Sequence, residues 1–207
     1  MQKKILLLSI SIFISFIAYS QNIGIKAGLN YVNNIMDPNT NGVNDNNSFR
    51  IAYHFGIYGK FFVEDKFFIQ PELLYSNKGL TFDETSSTSK ANLHLNYINL
   101  PVLFGYQLTE NFVLAFGPEL GYLVSAKSKF DSQTTNVDEI WNNKFDFGLA
   151  IALEYNLSEK FNLGLRYTHG LTSVIKDIGM TDEIGNPIGE ANARNRSFQL
   201  SIGYRIK

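Results

Sequence analysis

Cysteine is absent from this 207-residue chain, and charge of one sign is not in excess. Without cysteine the chain has no disulfides, no thiolate metal sites and no lipid anchor on a cysteine. The formal net charge of -1 gives no overall electrostatic attraction to nucleic acid or to an anionic surface. Beyond the first 20 residues no apolar run is long enough for a transmembrane helix.

The N-terminus has the composition of a secretory signal peptide. Lys3 and Lys4 precede an apolar run, and the small residues Ala18 and Ser20 fit a cleavage site before Gln21. An uncleaved membrane anchor is the alternative, but the run is short for a bilayer core of about 30 Å and no stop-transfer charges follow it. The sequence therefore predicts a signal peptide at 1–20 and one exported domain at 21–207.

The chain is rich in aromatic residues, and its apolar residues alternate with small or polar ones. Phenylalanine, tyrosine and tryptophan make up 14% of the residues. The segment "NIGIKAGLNYVN" places apolar residues at odd positions and small or polar residues at even positions, which is the period of a β-strand. Seven later segments repeat this pattern, so we expect eight strands, the last four near 112–126, 143–157, 161–175 and 195–206.

The connections between these segments alternate between short and long. Three tight turns, each a short run of polar residues, are predicted at 64–66, 109–111 and 158–160. Long polar loops are predicted near 34–48, 84–91, 127–142 and 176–194. A hairpin repeated in this way is typical of an up-and-down barrel with short turns at one end and long loops at the other.

In the segment from Leu93 to Tyr106, the apolar residues change from odd to even positions. Leu93, Leu95 and Tyr97 are at odd positions, whereas the apolar residues from Leu100 to Tyr106 are at even positions. An extra residue near 98–99 restores the face, so a β-bulge is expected there. Three prolines lie inside strand patterns, and each is expected at a bulge, a strand end or an irregular pair: Pro71, Pro101 and Pro118.

The chemistry of the two faces indicates which one points inward. The small and polar face contains many glycines and charges of both signs: Lys26, Arg50, Lys60, Arg166, Arg205, Glu72, Glu119, Asp146 and Glu154. So many glycines weaken a solvent-exposed strand, whereas in a narrow lumen they make space for longer neighbours. Tyrosine and phenylalanine are concentrated near strand ends on the apolar face, as in the aromatic girdle of a membrane barrel.

These observations predict an all-β fold, an eight-stranded up-and-down antiparallel transmembrane β-barrel in the cell outer membrane. A soluble periplasmic barrel with its apolar face inward is the alternative. Eight strands enclose little more than their own side chains. The lumen charges are therefore expected to form a structural ion-pair network, with a proton or ion pathway as the alternative.

Two motifs suggest chemistry, but neither is a complete site. The run from Asp37 to Asp45 resembles the first half of an acidic calcium loop, with Ser48 where the twelfth-position glutamate is expected. The histidines His54, His94 and His169 lack metal-ligand spacing. His169 with Ser173 is the weak basis for a lipid-hydrolase hypothesis. We therefore expect no catalytic, cofactor-binding or metal-binding residues and no cofactor.

The chain resembles the small outer-membrane β-barrel proteins of Bacteroidetes, the porin-family or PorT-like group. The resemblance lies in "IGIKAGLNY", "FIQPELLYSNKG", "YINLPVLFGY" and "FGPELGYLVS", and it spans the mature chain. It implies an outer-membrane barrel and a link to type IX secretion and gliding. Barrels of this kind usually end on an aromatic residue, whereas this sequence ends "IGYRIK", with Tyr204 and Ile206 as the candidates for that part.

The predicted function is a non-enzymatic structural or binding scaffold with four extracellular loops. Its expected partners are membrane lipid, lipopolysaccharide, and envelope or extracellular proteins that contact the loops. Nucleic acid is not expected, and the barrel is expected to be a monomer. A narrow transport channel or a secretion-associated component is the first alternative, and a lipid-modifying enzyme is the second.

Overall fold

Strands account for nearly all of the residues that the computed structural model describes, which are 22–37, 47–83, 90–130, 133–137, 144–181 and 187–207. The strands are β1 (Asn22–Asp37), β2 (Asn47–Ser48), β3 (Arg50–Phe62), β4 (Phe67–Asp83), β5 (Lys90–Gln107), β6 (Phe112–Phe130), β7 (Gln133–Asn136), β8 (Phe145–Asn156), β9 (Phe161–Gly170), β10 (Ile175–Thr181) and β11 (Pro187–Arg205). Within the same residues, no helix has the length and apolar character needed to cross a membrane.

Eight of these strands form a closed antiparallel barrel. Each pairs with its neighbour along the chain, in the order β1, β3, β4, β5, β6, β8, β9, β11, and β11 pairs again with β1. The closing register runs from Gly24↔Arg205 to Asp37↔Asn192. Closure gives each of these eight strands a described partner on both sides, which is what a wall in lipid requires. The predicted all-β, eight-stranded up-and-down barrel is confirmed.

The three tight turns are also confirmed, and they share one hydrogen-bond pattern. The amides of Val63, Leu108 and Leu157 donate to the carbonyls of Phe67, Phe112 and Phe161 at 2.8, 2.9 and 2.9 Å. In two of the turns a hydroxyl adds a second acceptor, because Thr109 Oγ1 and Ser158 Oγ accept from the amide three residues later. The repeated turn therefore has a local origin in the sequence.

The long loops predicted near 127–142 and 176–194 are wrong, because the residues that the structure describes there are mostly in strands. Strand β6 continues to Phe130 and β7 folds back against it, and β10 pairs with the first half of β11. These segments are polar, but they extend the wall past the apolar band, where water satisfies the outer hydrogen-bonding groups. The predicted loops near 34–48 and 84–91 lie largely outside the described residues.

The predicted bulge at 98–99 is wrong. β5 pairs with β4 in one unbroken register, from Phe67↔Tyr106 to Asp83↔Lys90. The register shift occurs between β5 and β6 instead, where Asn96↔Ser125 is followed by Tyr97↔Leu123 and Val124 is the extra residue. Leu95 and Tyr97 do not return to the lipid face, because they are buried inside the barrel in an apolar cluster.

The prolines lie inside continuous strands and beside interruptions in the pairing. Pro71 sits where the β3–β4 ladder passes from Tyr58↔Glu72 to Phe61↔Ile69. β5 and β6 are unpaired between Pro101↔Glu119 and Phe104↔Phe116, so Pro101 borders this interval and Pro118 lies within it. A proline cannot donate to the ladder, so the prediction of irregular pairs is confirmed.

The two faces of the wall differ as the sequence predicts. On the outer face Phe116, Leu165 and Leu200 are more than half exposed, whereas Glu72 on the inner face is 0% exposed. Cross-strand aromatic pairs mark both ends of the apolar face. Phe67–Tyr106, Phe112–Tyr155 and Phe161–Tyr204 form a ring at the turn end, and Tyr31–Phe49, Phe55–Tyr75, Tyr122–Phe145 and Tyr167–Phe198 form an outer ring.

Candidate functional site: the barrel lumen

The lower part of the lumen is held together by two carboxylates from opposite walls. Lys26 Nζ lies 2.9 Å from Glu72 Oε1 and 3.2 Å from Glu154 Oε1, so β1 bridges β4 and β8. Lys60 Nζ approaches the second oxygen of Glu154 at 3.5 Å. Arg166 Nη2 contacts Glu72 Oε1 at 2.7 Å. The ionic contacts therefore cross the barrel and link five strands.

A neutral side chain completes this lower group. Gln70 Nε2 donates to Glu72 Oε1 at 2.8 Å and to Glu154 Oε1 at 3.0 Å. Because two carboxylates lie close to one another here, the amide donor between them reduces their mutual repulsion. Charged and amide donors stabilise buried carboxylates, and the Oε1 atoms of Glu72 and Glu154 each accept from at least two such donors, whereas Glu72 Oε2 has no hydrogen-bond partner among the described residues.

A second group lies further toward the outer end. Lys78 Nζ is 3.2 Å from Glu119 Oε1 and 3.2 Å from Asp146 Oδ2. Amide side chains satisfy the same carboxylates, because Asn99 donates to Glu119 at 2.6 Å and Asn195 donates to Asp146 at 2.8 Å. Lys78, Glu119 and Asp146 are each buried, so this group is as closed to solvent as the first.

Together the two groups form the lumen network, and its charges cancel. Four cations (Lys26, Lys60, Lys78 and Arg166) face four carboxylates (Glu72, Glu119, Asp146 and Glu154), which gives a formal sum of zero. Such cancellation is expected of charges held away from water, because an unmatched buried charge is costly. The predicted ion-pair network in the lumen is confirmed for the described residues.

Seven of the nine predicted lumen charges belong to this network. Of the other two, Arg50 reaches into the wall near the outer end, and Arg205 lines the opening at the turn end. The sequence reading missed Lys78. It could have been found from the alternation alone, because Lys78 continues the even face from Glu72 through Leu74 and Ser76.

Glycines provide the space for the large inward side chains. A Cβ on Gly24 would lie 2.4 Å from the Tyr58 ring, and one on Gly105 would lie 2.1 Å from the Phe68 ring. These distances are shorter than any van der Waals contact, so neither site tolerates a side chain without movement of its aromatic neighbour. The predicted role of lumen glycines is confirmed at Gly24, and the structure adds Gly105.

The lumen is filled at both ends as well as at its centre. At the turn end a polar vestibule of about 350 Å³ stops at Phe68, and Lys60 Nζ lies 4.2 Å from the centroid of that ring. At the outer end an apolar cap closes the barrel, formed by Leu95, Tyr97, Leu123, Ala126, Val174 and Ala193. In the described part of the chain, the interior is therefore a packed core rather than an open pore.

The three histidines occupy separate places. His54 Nδ1 is 2.6 Å from Asn30 Oδ1, His94 Nδ1 is 3.2 Å from Arg50 Nη1, and His169 Nδ1 is 3.2 Å from the Tyr167 hydroxyl. The structure records no ion pair between His169 and a described carboxylate, and no described group of three or more histidine and acidic residues could hold a metal. The contacts around His169 therefore do not form a triad with Ser173. The calcium hypothesis at Asp37–Asp45 falls largely outside the described residues.

The fold and the filled polar lumen define an integral β-barrel of the outer membrane. A family profile described as "Outer membrane protein beta-barrel domain" matches residues 19–176. The chain belongs to this outer membrane β-barrel domain family, and its location is the cell outer membrane. A comparison with curated protein sequences gave no match.

Solved structures share the fold at low sequence identity. Neisserial surface protein A is 14% identical with a TM-score of 0.51, and the match covers 89% of this chain and 96% of that one. The attachment invasion locus protein Ail of Yersinia pestis is 12% identical with a TM-score of 0.45, and the match covers 89% of this chain and 98% of that one. At these identities the likeness concerns the fold alone.

Proposed function

We propose that the protein is a non-conducting, non-enzymatic scaffold of the outer membrane that presents its outer segments to partners outside the cell. The observation that carries this proposal is the lumen network of eight buried charges, which sum to zero and span the interior. Charges that are paired with each other hold the wall together and are not available to a passing solute. Residues 1–20 are removed on export in this proposal.

The different lengths of the strands support a role for the outer end. β4, β5, β6 and β11 have 17 to 19 residues, whereas about 9–11 residues span a membrane. The additional residues extend the wall beyond the apolar band on the side opposite the three tight turns. Because barrels of this class have their short turns on the periplasmic side, the extended wall faces the exterior.

The partners in this proposal are membrane lipid, lipopolysaccharide, and envelope or extracellular proteins, with the barrel itself a monomer. The resemblance to PorT-like proteins of Bacteroidetes supports an envelope protein as the partner and a role beside a secretion apparatus. The environment of His169 supports the non-enzymatic assignment, because its described partner is a phenol rather than a carboxylate.

Conductance across a planar lipid bilayer tests the proposal. The wild-type barrel is expected to show no steady current at applied voltages of either sign, because charged and apolar side chains fill the lumen. The control is the fraction of folded protein in the same preparation, read from the change in gel mobility when the sample is boiled in SDS. A steady, reproducible conductance from folded protein contradicts the scaffold and favours the narrow channel.

The double variant Glu72→Ala/Arg166→Ala sharpens this test. It removes one carboxylate and one cation, so the network remains neutral while it loses its shortest ion pair. Any leak through the lumen is expected to appear first in this variant. Its folded fraction is measured on the same gel.

A further inference from the structure

Near the outer end of the barrel wall, the described pairing between β3 and β4 is interrupted. β3 pairs with β4 from Phe62↔Phe68 as far as His54↔Ser76, and pairing resumes between Ser48 and Thr81. Six residue steps lead from Ser48 to His54, but only five lead from Thr81 to Ser76. The β3 side therefore contains one extra residue and bows away from β4. Gly79 on β4, opposite this bow, has a φ of 119°.

Arg50 fills the interruption. Its Nη2 donates to the Lys78 carbonyl at 2.8 Å and to Asn77 Oδ1, and its Nη1 lies 3.2 Å from His94 Nδ1. A guanidinium can only donate, so His94 accepts at Nδ1 and carries its proton on Nε2, where it remains a donor. Among the described residues, the buried Nε of Arg50 has no hydrogen-bond partner.

The interruption opens onto a groove on the outer surface of the barrel. This outer groove has a volume of about 460 Å³ and is lined by Arg50, His94, Tyr53, Tyr75, Lys127 and Lys129 together with small and amide side chains. Lys127 and Lys129 project from β6 and are exposed. No acidic residue is among the described lining, and neither lysine has an ion pair with a described carboxylate. No described acidic side chain therefore compensates the three permanent cations that face the groove.

The floor of the outer groove is aromatic and joins the lipid face. The rings of Tyr53 and Tyr75 are stacked with centroids 6.3 Å apart, and Phe55 lies 5.3 Å from Tyr75 in the outer aromatic ring. Ile51, beside them, is 71% exposed. A soluble anion would make no apolar contact with these aromatic side chains. An amphiphile fits both parts of the groove, because its head group can contact the cations while its acyl chain lies on the apolar face.

We propose that the outer groove binds a phosphate-bearing glycolipid of the outer leaflet. The phosphate lies among Arg50, Lys127 and Lys129, the His94 Nε2–H donates to the head group, and an acyl chain follows Tyr53 and Tyr75 toward the lipid face. Arg50 is held by Asn77 and the Lys78 carbonyl before any ligand arrives, which lowers the entropic cost of ordering it. The assignment rests on the proposed function in one respect, because it gives the lipopolysaccharide partner named there a binding groove, but it does not depend on whether the barrel conducts.

The test is binding of fluorescent bis-phosphorylated lipid A to the folded, full-length barrel in detergent micelles, followed by fluorescence polarisation. Three competitors are compared at matched ionic strength: unlabelled lipid A, the same lipid with both phosphates removed, and inorganic phosphate. The test variant is Lys127→Gln/Lys129→Gln, and the matched control is Lys66→Gln/Lys160→Gln. The control removes the same charge from exposed lysines at the turn end.

The test variant is expected to bind lipid A roughly 10-fold or more weakly than the wild type, because each lysine near an anionic head group contributes about a factor of five. The control variant is expected to stay within about twofold of the wild type. Unlabelled lipid A displaces the probe, whereas the dephosphorylated lipid and inorganic phosphate do not. Equal binding by the test variant, equal loss in the control, or no binding by the wild type overturns the proposal. Full displacement by inorganic phosphate identifies a general anion site and overturns the lipid assignment.

Discussion

Lys78 and Lys127 lie two strands apart in the same wall and have opposite surroundings. Lys78 is 3% exposed and lies 3.2 Å from both Glu119 and Asp146. Lys127 is exposed and has no ion pair with a described carboxylate. The first lysine is part of a closed network, whereas the second has no described ion pair that would compete with a ligand. Among the described residues, charges are therefore structural where they are paired in the lumen, and available to a ligand where they have no ion pair at the outer rim.

The largest expected effect comes from breaking the paired side of this comparison. Glu72→Ala removes the only described ion-pair partner of Arg166 and one of the two partners of Lys26. Because a buried cation is left without its carboxylate, the free energy of unfolding is expected to fall by about 3–5 kcal/mol. Urea unfolding in lipid vesicles, followed by gel mobility, measures this loss.

Glu64→Ala is the matched control, because Glu64 is an exposed glutamate in a tight turn. Its effect is expected to lie within about 0.5 kcal/mol of zero. Similar stabilities for the Glu72 and Glu64 variants contradict the claim that the lumen charges hold the wall together.

An intermediate effect is expected from overfilling the lumen. Gly105→Ala places a methyl group 2.1 Å from the Phe68 ring, and the ring must move within a packed interior. The free energy of unfolding is expected to fall by about 1–3 kcal/mol. The same urea titration measures it, and the added change Phe68→Leu is expected to restore part of the loss.

Gly164→Ala provides the comparison for this prediction. There the nearest group is Ser201 Oγ at 2.7 Å, the end of a short side chain that can rotate away. A smaller loss is expected than at Gly105. If the two alanine variants are equally destabilised, close contact with a rigid ring is not the cause.

The smallest effect on stability is expected at the rim. Lys127→Gln/Lys129→Gln changes two exposed side chains that have no described ion pair, so the free energy of unfolding is expected to change by no more than about 0.5 kcal/mol for each. The urea titration again measures it. If the free energy of unfolding falls as much as in Glu72→Ala, these lysines belong to a structural network. Lumen and rim charges then do not differ in their contribution to stability.

Local patterns in the sequence were enough to predict the barrel, its turns and most of the lumen charges. Alternation with a period of two assigns a face to each residue, and seven of the nine predicted lumen charges are found in the network. Lys78 follows the same alternation, but it lies beyond the most apolar part of its strand. The turns are local structures, so residues such as Thr109 and Ser158 predict them directly.

The sequence pattern failed where apolar residues face inward. Leu95 and Tyr97 were assigned to lipid because apolar residues form the outer face elsewhere, and this error produced the bulge predicted at 98–99. The structure buries both residues in the outer cap with Leu123, Ala126, Val174 and Ala193. Membership of that cap depends on residues from distant segments, which a local pattern does not show.

The amino-acid sequence by itself determined the closed eight-stranded wall, its apolar outer face and the polar character of its lumen. These properties depend on residue spacing and on the requirement that backbone groups in lipid be paired. Only the tertiary structure decided which charges meet, where the register shifts, and that Arg50, His94, Lys127 and Lys129 line one groove. These four residues come from three strands, and only the pairing registers of the closed wall determine how strands align across it.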